Sequence, residues 1–387
     1  MNLKSIWQLL KNEADLIRTD HSILLALLAA PLLYFIMMGT TYMHKDEEQV
    51  DVGVVDTDLS ISSKDFIKKL HATQKVNISH SYTNLEEAKA GFYNFDVQGI
   101  VHIPKGFGKK LKNKESASVG LILNNSKFLS SNDINKAVNL VAMDYAAKSR
   151  QDFFESKNIP TSIAKTKAQP ITAQIHAVYN PNNNYGDFLL PALLIFILHQ
   201  TLLISLSESI ASDTENRQFT VLFKMANSHF SSYFLGKTGF YILLYFAYTC
   251  CTFLVAYPIF DLPLNGNILV LLTVTFLFFT TTILYTWVVA SFFKSQTRAM
   301  EIMAFTSYPL FLITGITWPF KDMPWFIQGI GNLIPLRPYF QFLKKQTIMG
   351  VDSALYRSEI IQILLLLFLA YGIALWRFYY LKKQVIS

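Results

Sequence analysis

The sequence predicts a polytopic α-helical membrane protein with six transmembrane helices and an extracytoplasmic α/β domain inserted after the first helix. Three observations lead there. The 387 residues are 51% hydrophobic and only 16% charged, with a mean hydropathy of +0.29, which is membrane-class composition. The apolar residues gather into runs of about 20, the length a helix needs to cross roughly 30 Å of hydrocarbon. Between the first two runs, over 44–186, the chain turns polar and its apolar period changes.

Residues 1–19 read as an N-terminal amphipathic interfacial helix. Leu3, Ile6, Trp7, Leu10, Ala14 and Ile17 recur at helical spacing, with Lys4, Lys11, Glu13, Asp15 and Arg18 on the other face. Thr19, Asp20 and Ser22 mark a break, and the first span follows within 20–43, over Ser22 to Tyr42.

In 44–186, Val50, Val52 and Val54, then Val76 and Ile78, Val97 to Ile103, and Val119 to Leu123 read as short strands. Capped helical patterns at Ser60 to Leu70 and Asn84 to Phe92 separate them, so strand and helix alternate as in an α/β domain. Asn132 or Asp133 can cap a longer helix whose Ile134, Ala137, Val138, Val141 and Tyr145 share one face. Alternation over Pro170 to Pro181 suggests a returning strand, ended by an Asn-rich turn at Asn180 to Asn184.

The remaining spans are expected at Phe188 to Ile210, Gly239 to Phe260, Ile268 to Phe293, Ala299 to Trp318 and Ile360 to Phe378. They make a five-helix domain, 187–387, with a cytoplasmic loop at 211–237 and an outer re-entrant segment at 319–358. Arg217, Lys224, Lys237, Lys294 and Arg298, with basic residues in both tails, favour cytoplasmic termini. Lys321, Arg337, Lys344, Lys345 and Arg357 in the last outer loop run against that assignment.

Several function classes drop out. The net charge of +7 is spread along the chain with no compact basic motif, which argues against nucleic acid. The only cysteines, Cys250 and Cys251, are neighbours in an apolar run and offer neither a disulfide framework nor metal-ligand spacing. No cluster of catalytic His, Asp or Ser groups is legible. Gly236, Lys237 and Thr238 match the tail of a phosphate-binding loop, but Ser231 stands where its first glycine is needed. The chain is therefore expected to be no enzyme and no ATP-driven motor by itself.

Two polar stripes run along predicted spans: Thr201, Ser205, Glu208 and Ser212, and Thr306, Leu310, Thr314 and Thr317. Such stripes suit helix-to-helix packing or the wall of a pathway, and the sequence leaves both open. His199 falls mid-span, where a neutral, hydrogen-bonded ring is expected.

The block SESIASDTENRQFTVLFKMANSHFSSYFLGK, Ser207 to Lys237, resembles the cytoplasmic loop of type-2 ABC exporter permeases. Gln218, Phe219, Thr220, Val221 and Leu222 stand where that family has a Gly-Thr-Leu-Glu-x-Leu run. VDVGVVDTD with VQGIVHIPKGFGKKL is similar to the family's outside domain, YNPNNNYGDFLLPALL to its approach to the second span, and TGITWPFKDMPWFIQGIGNLIPLRPYFQFLK to its outer re-entrant segment.

The resemblance implies a permease half in a bacterial cytoplasmic (inner) membrane, with both termini cytoplasmic and its sides in contact with membrane lipid. Its partners would be a second permease, as homodimer or paralogue, cytoplasmic ABC ATPase subunits that carry ATP and Mg, and a periplasmic adaptor. No cofactor or metal would sit in this chain. Glu208, Asp213, Glu215, Arg217, Thr220 and Leu222 would couple it to the ATPase, and Thr201, Ser205, Thr306, Leu310, Thr314 and Thr317 would line the substrate pathway. Since no cluster of intramembrane charges is legible, a lipophilic or amphipathic substrate is expected. An alternative is an ATPase-independent secretion or receptor component similar to the phage-infection-protein family.

Overall fold

Hydrophobic patterning sorts this chain into two compact units, Met1–Lys45 with Ala177–Ser387, and Asp46–His176. The computed structural model describes residues 3–43, 49–171, 178–180 and 184–386.

The first unit is helical. Helix α1, Leu3–Thr19, stops at Asp20, whose carboxylate accepts the N–H groups of Ser22 and Ile23 and so opens α2, His21–Thr41. Among the described residues, five helices are long and apolar enough to cross a membrane: His21–Thr41, Tyr185–Glu215, Phe230–Ile259, Ile268–Ala290 and Arg357–Gln384.

The span expected at Ala299 to Trp318 comes out differently. Its helix is Gln296–Leu312, only 17 residues long, with Arg298 and Glu301 in its first turns. Gly315 takes a φ of +91°, a left-handed turn that glycine adopts without steric cost, so the residues up to Trp318 leave the helical path. Two short helices follow, Trp325–Asn332 and Leu336–Lys344.

The second unit holds a four-stranded mixed sheet, ordered β2-β1-β3-β4, from β1 Val50–Asp56, β2 Val76–Tyr82, β3 Gly99–Ile103 and β4 Gly120–Leu123. β1 pairs in parallel with both β2 and β3, while β4 returns antiparallel to β3. Parallel neighbours need crossovers, and helices α3, Ile61–His71, and α4, Leu85–Tyr93, supply them. Their caps are the expected ones: the Ser60 hydroxyl accepts the N–H of Ser63, and the Asn84 side chain accepts that of Glu87.

Helix α5, Phe107–Lys112, leads from β3 toward β4, and α6, Phe128–Glu155, then packs Ile134, Val138 and Val141 with Val52, Val54 and Val101 of the sheet. It begins at Phe128, ahead of the expected caps Asn132 and Asp133, because the Ser131 hydroxyl ties its first turn to the carbonyl of Asn124. Helix α7, Thr161–Ala168, completes the unit. The returning strand expected over Pro170 to Pro181 lies largely outside the described residues. Of the Asn-rich turn, Asn180 and Asn184 bond each other through side chain and backbone.

The helical unit continues with α8, Tyr185–Glu215, α9, Phe219–Met225, α10, Phe230–Ile259, α11, Ile268–Ala290, α12, Gln296–Leu312, α13, Trp325–Asn332, α14, Leu336–Lys344, and α15, Arg357–Gln384.

Candidate functional site

Helix α1 buries one stripe at four-residue spacing, Ser5, Leu9, Glu13 and Ile17, while Leu3 and Trp7 remain exposed. The stripe lies against α10, and Gly236 lets it come that close: a Cβ there would run into the Leu9 side chain. The close approach sets Glu13 beside Lys237. The Lys237 ammonium lies 2.7 Å from Glu13 Oε2 and 2.7 Å from Asp213 Oδ2 of α8, with all three side chains at most 2% exposed. It also donates to the Ser209 carbonyl at 3.3 Å, and the Ser209 hydroxyl donates to Glu13 Oε1.

Two carboxylates against one ammonium leave a formal charge of −1 among buried side chains. In such surroundings the attraction is strong, but each ion forfeits its hydration, so the cluster holds only while all partners stay in register. Three helices, α1, α8 and α10, meet through it.

None of the three residues lies in a span expected from the sequence, since Glu13 is in α1 and Asp213 and Lys237 fall in the stretch read as a cytoplasmic loop. Glu13 reads in sequence as part of a solvated face, and Lys237 as a stray tail of a phosphate loop. Their meeting depends on helix packing between distant segments, a contact that local periodicity does not encode.

The other coupling candidates fall around this cluster. Glu208 is buried and accepts the Ser22 hydroxyl at 2.7 Å; its Oε2 has no hydrogen-bond partner among the described residues. Asp213 is likewise buried. Glu215 is exposed yet accepts the backbone N–H of Gln296 at 2.8 Å, while the Gln296 amide donates to Asp20 at 2.6 Å. The acidic end of α8 is thereby linked to the beginnings of α2 and α12.

Arg217 is exposed and closes α8 with φ at +55°. Gln218 N–H donates to Asp213 O at 2.8 Å and Arg217 N–H to Thr214 O at 3.2 Å, a Schellman-type stop in which glycine is the usual residue. Directly after it, α9 buries Phe219, Leu222 and Phe223, and leaves Val221 and Lys224 exposed with Thr220 half-buried. Phe223 packs edge-on against Phe378 of α15 at 4.8 Å and Tyr233 of α10 at 5.3 Å.

The pathway candidates are less open than a channel wall. Thr201 is buried and bonds the Tyr245 hydroxyl at 3.0 Å, and Ser205 donates back to Thr201 O. Thr306 bonds the Ile302 carbonyl of its own helix, Thr314 just past the helix end bonds the Phe311 carbonyl, Leu310 is half-buried, and Thr317 is exposed further on. α8 and α12 do pack together, with the Phe196 and Phe311 rings 4.5 Å apart. His199 is buried beside Phe278, and its Nδ1 lacks a hydrogen-bond partner among the described residues.

Comparison with known proteins places these features in a family. The profile of the ABC-2 family transporter protein matches residues 21–377. ABC transporter G family member 20 of Dictyostelium discoideum is 24% identical over 314 residues, 79% of this chain and 40% of that protein. The probable multidrug ABC transporter permease YbhS of Escherichia coli K12 is 20% identical over 342 residues, 88% of this chain and 87% of the relative. This chain thus spans less than half of the Dictyostelium protein and most of the bacterial one. The family match takes in Asp213 and Lys237 and begins after Glu13. Extending through both compact units and all five long apolar helices, it shows that the chain belongs to the ABC-2 family of transporter membrane proteins.

Proposed function

We propose that the chain is the permease subunit of an ATP-driven exporter that moves a lipophilic or amphipathic substrate out of the cytoplasm or the inner leaflet. It works with a second permease and with separate ATPase subunits that bind ATP and Mg. Both termini lie in the cytoplasm, α12 serves as a sixth, shorter crossing, and the mixed-sheet unit lies outside.

The observation that carries this reading is the attachment of α9. It is a short helix with one apolar face anchored on α10 and α15. A turn closed at its start by a residue in the left-handed region joins it to α8, whose last turns meet α1 and α10 through buried ions. A push on the exposed edge of α9, where Arg217, Val221 and Lys224 face outward, reaches several long helices without passing through a flexible loop. That is what a soluble motor needs from a membrane partner. The multidrug permease named among the relatives supports the substrate class.

The test is copurification with the ATPase, followed by transport in reconstituted vesicles. Arg217→Glu and Glu215→Lys should insert normally but lose ATPase binding or substrate-stimulated hydrolysis. Arg217→Gly should keep the turn and gain roughly 0.5–1 kcal/mol in stability, because glycine adopts this conformation freely, yet still lose coupling. Wild-type assembly, hydrolysis and transport in all three variants would remove the coupling role.

A further inference from the structure

We propose that the mixed-sheet unit carries its own binding site for a small organic anion: a carboxylate borne on a flat apolar frame about two fused rings in size. The site is a cleft of about 290 Å³ between α3, α5, β4 and α6. Phe66, Phe107 and Val138 are buried beneath it, and Leu111, Leu121 and Tyr145 form its walls. Among the α6 residues that line it, Ala142 and Ala146 stand one and two turns after Val138. These small side chains leave the space that a leucine would fill.

Volume and charge together select the occupant. A dry cavity of about 150 Å³ lined by aliphatic and aromatic groups takes benzene, so about twice that volume suits a fused bicycle. Residues 105–114 contain Lys105, Lys109, Lys110, Lys112 and Lys114 and no acidic residue. Lys110 and Lys112 bracket the lining residue Leu111, are exposed, and have no acidic partner among the described residues. Lys114 is engaged over the Phe153 ring at 4.3 Å. On the opposite wall Lys69 lies over the Tyr145 ring, but Asp65 at 3.6 Å and Asp144 at 3.9 Å neutralise it. The uncompensated positive charge is therefore on the α5 side, where it would meet an anion at the mouth of an apolar cleft.

Asn135 and Asn139 line the cleft, and since the Asn139 amide donates to the carbonyl and Oδ1 of Asn135, it is the Asn135 side-chain N–H groups that can bond a carboxylate. The α5 wall is also held in place in advance. The Asp58 carboxylate accepts Gly106 N–H at 2.7 Å and Gly108 N–H at 2.9 Å, and the Phe66 and Phe107 rings meet edge to face at 6.0 Å. Such pre-ordering lowers the entropy lost when a ligand enters.

The probe is 2-naphthoate, measured by equilibrium dialysis against the full chain in lipid nanodiscs, with empty nanodiscs as the baseline. Saturable binding near one equivalent per chain is expected. Ala142→Leu, which fills the cleft, should weaken it by more than about tenfold, a change of about 1.4 kcal/mol. Lys110→Glu, confined to the surface, should weaken it by about threefold or more, and neutral 2-naphthamide should bind correspondingly less well than the anion. If Ala142→Leu fails to fold, Lys110→Glu and the neutral analogue still decide the matter. Binding no greater than to empty nanodiscs overturns the proposal. So does equal binding in both variants, or equal affinity for the neutral analogue.

Discussion

Lys237 shows how much a single side chain can hold in this protein. Its ammonium lies 2.7 Å from a carboxylate oxygen of both Glu13 and Asp213. Lys237→Met should therefore cost about 3–5 kcal/mol, since it leaves two carboxylates buried without a cation. The triple variant Glu13→Gln, Asp213→Asn, Lys237→Met removes every charge and should regain most of that loss. Thermal unfolding in detergent reads both, and equal stability of the single variant and the wild type would show that the cluster is not dry. Transport separates structure from function: a stable triple variant that no longer transports would mean the ions link movements as well as helices. All three residues are visible in the sequence, but their pairing is not. Ser209 and Glu13, which also touch, are 196 positions apart.

At the level of elements, local chemistry was legible and helix ends set by backbone conformation were not. Asp20, Ser60 and Asn84 cap as their residue types suggest, because a cap involves only the next turn. Hydropathy carried the span at Ala299 to Trp318 past its true end, since Ile313 and Ile316 are apolar whether or not the backbone turns at Gly315. The amphipathic pattern of α1 marks a helix there but not the side it turns to the protein, where Ser5, Leu9, Glu13 and Ile17 are buried while Leu3 and Trp7 stay exposed. Gly236 is the feature that fixes this packing. Gly236→Leu should push α1 off α10, exposing Glu13 to solvent and speeding hydrogen exchange along Leu3–Thr19, while α11 and α15 keep their protection. Unchanged exchange in α1 would contradict the packing described.

For the molecule as a whole, orientation is the outstanding prediction. The basic residues of 319–358 seemed to oppose cytoplasmic termini, but several are engaged within the protein. Lys345 pairs with Glu359 at 2.7 Å, and Arg337 stacks over Phe320 at 4.0 Å and donates to Gln362. The positive-inside bias counts Lys and Arg whatever their partners, so these residues still weigh against cytoplasmic termini and the labelling pattern decides. In a Cys250→Ser, Cys251→Ser background, Asn113→Cys should react with an impermeant maleimide from outside intact cells, and Asn216→Cys only after the inner face is opened. The reverse pattern would invert the topology. Biogenesis adds a constraint of its own. Lys237 leaves the ribosome long after Glu13, about two turns into a helix bound for lipid, where an unpaired buried cation is unfavourable. The first helix to be made is thus the counterion waiting for a later one. A nascent chain without residues 3–19 should integrate α10 less often, and Lys237→Met should restore it, as glycosylation mapping of truncated chains would register.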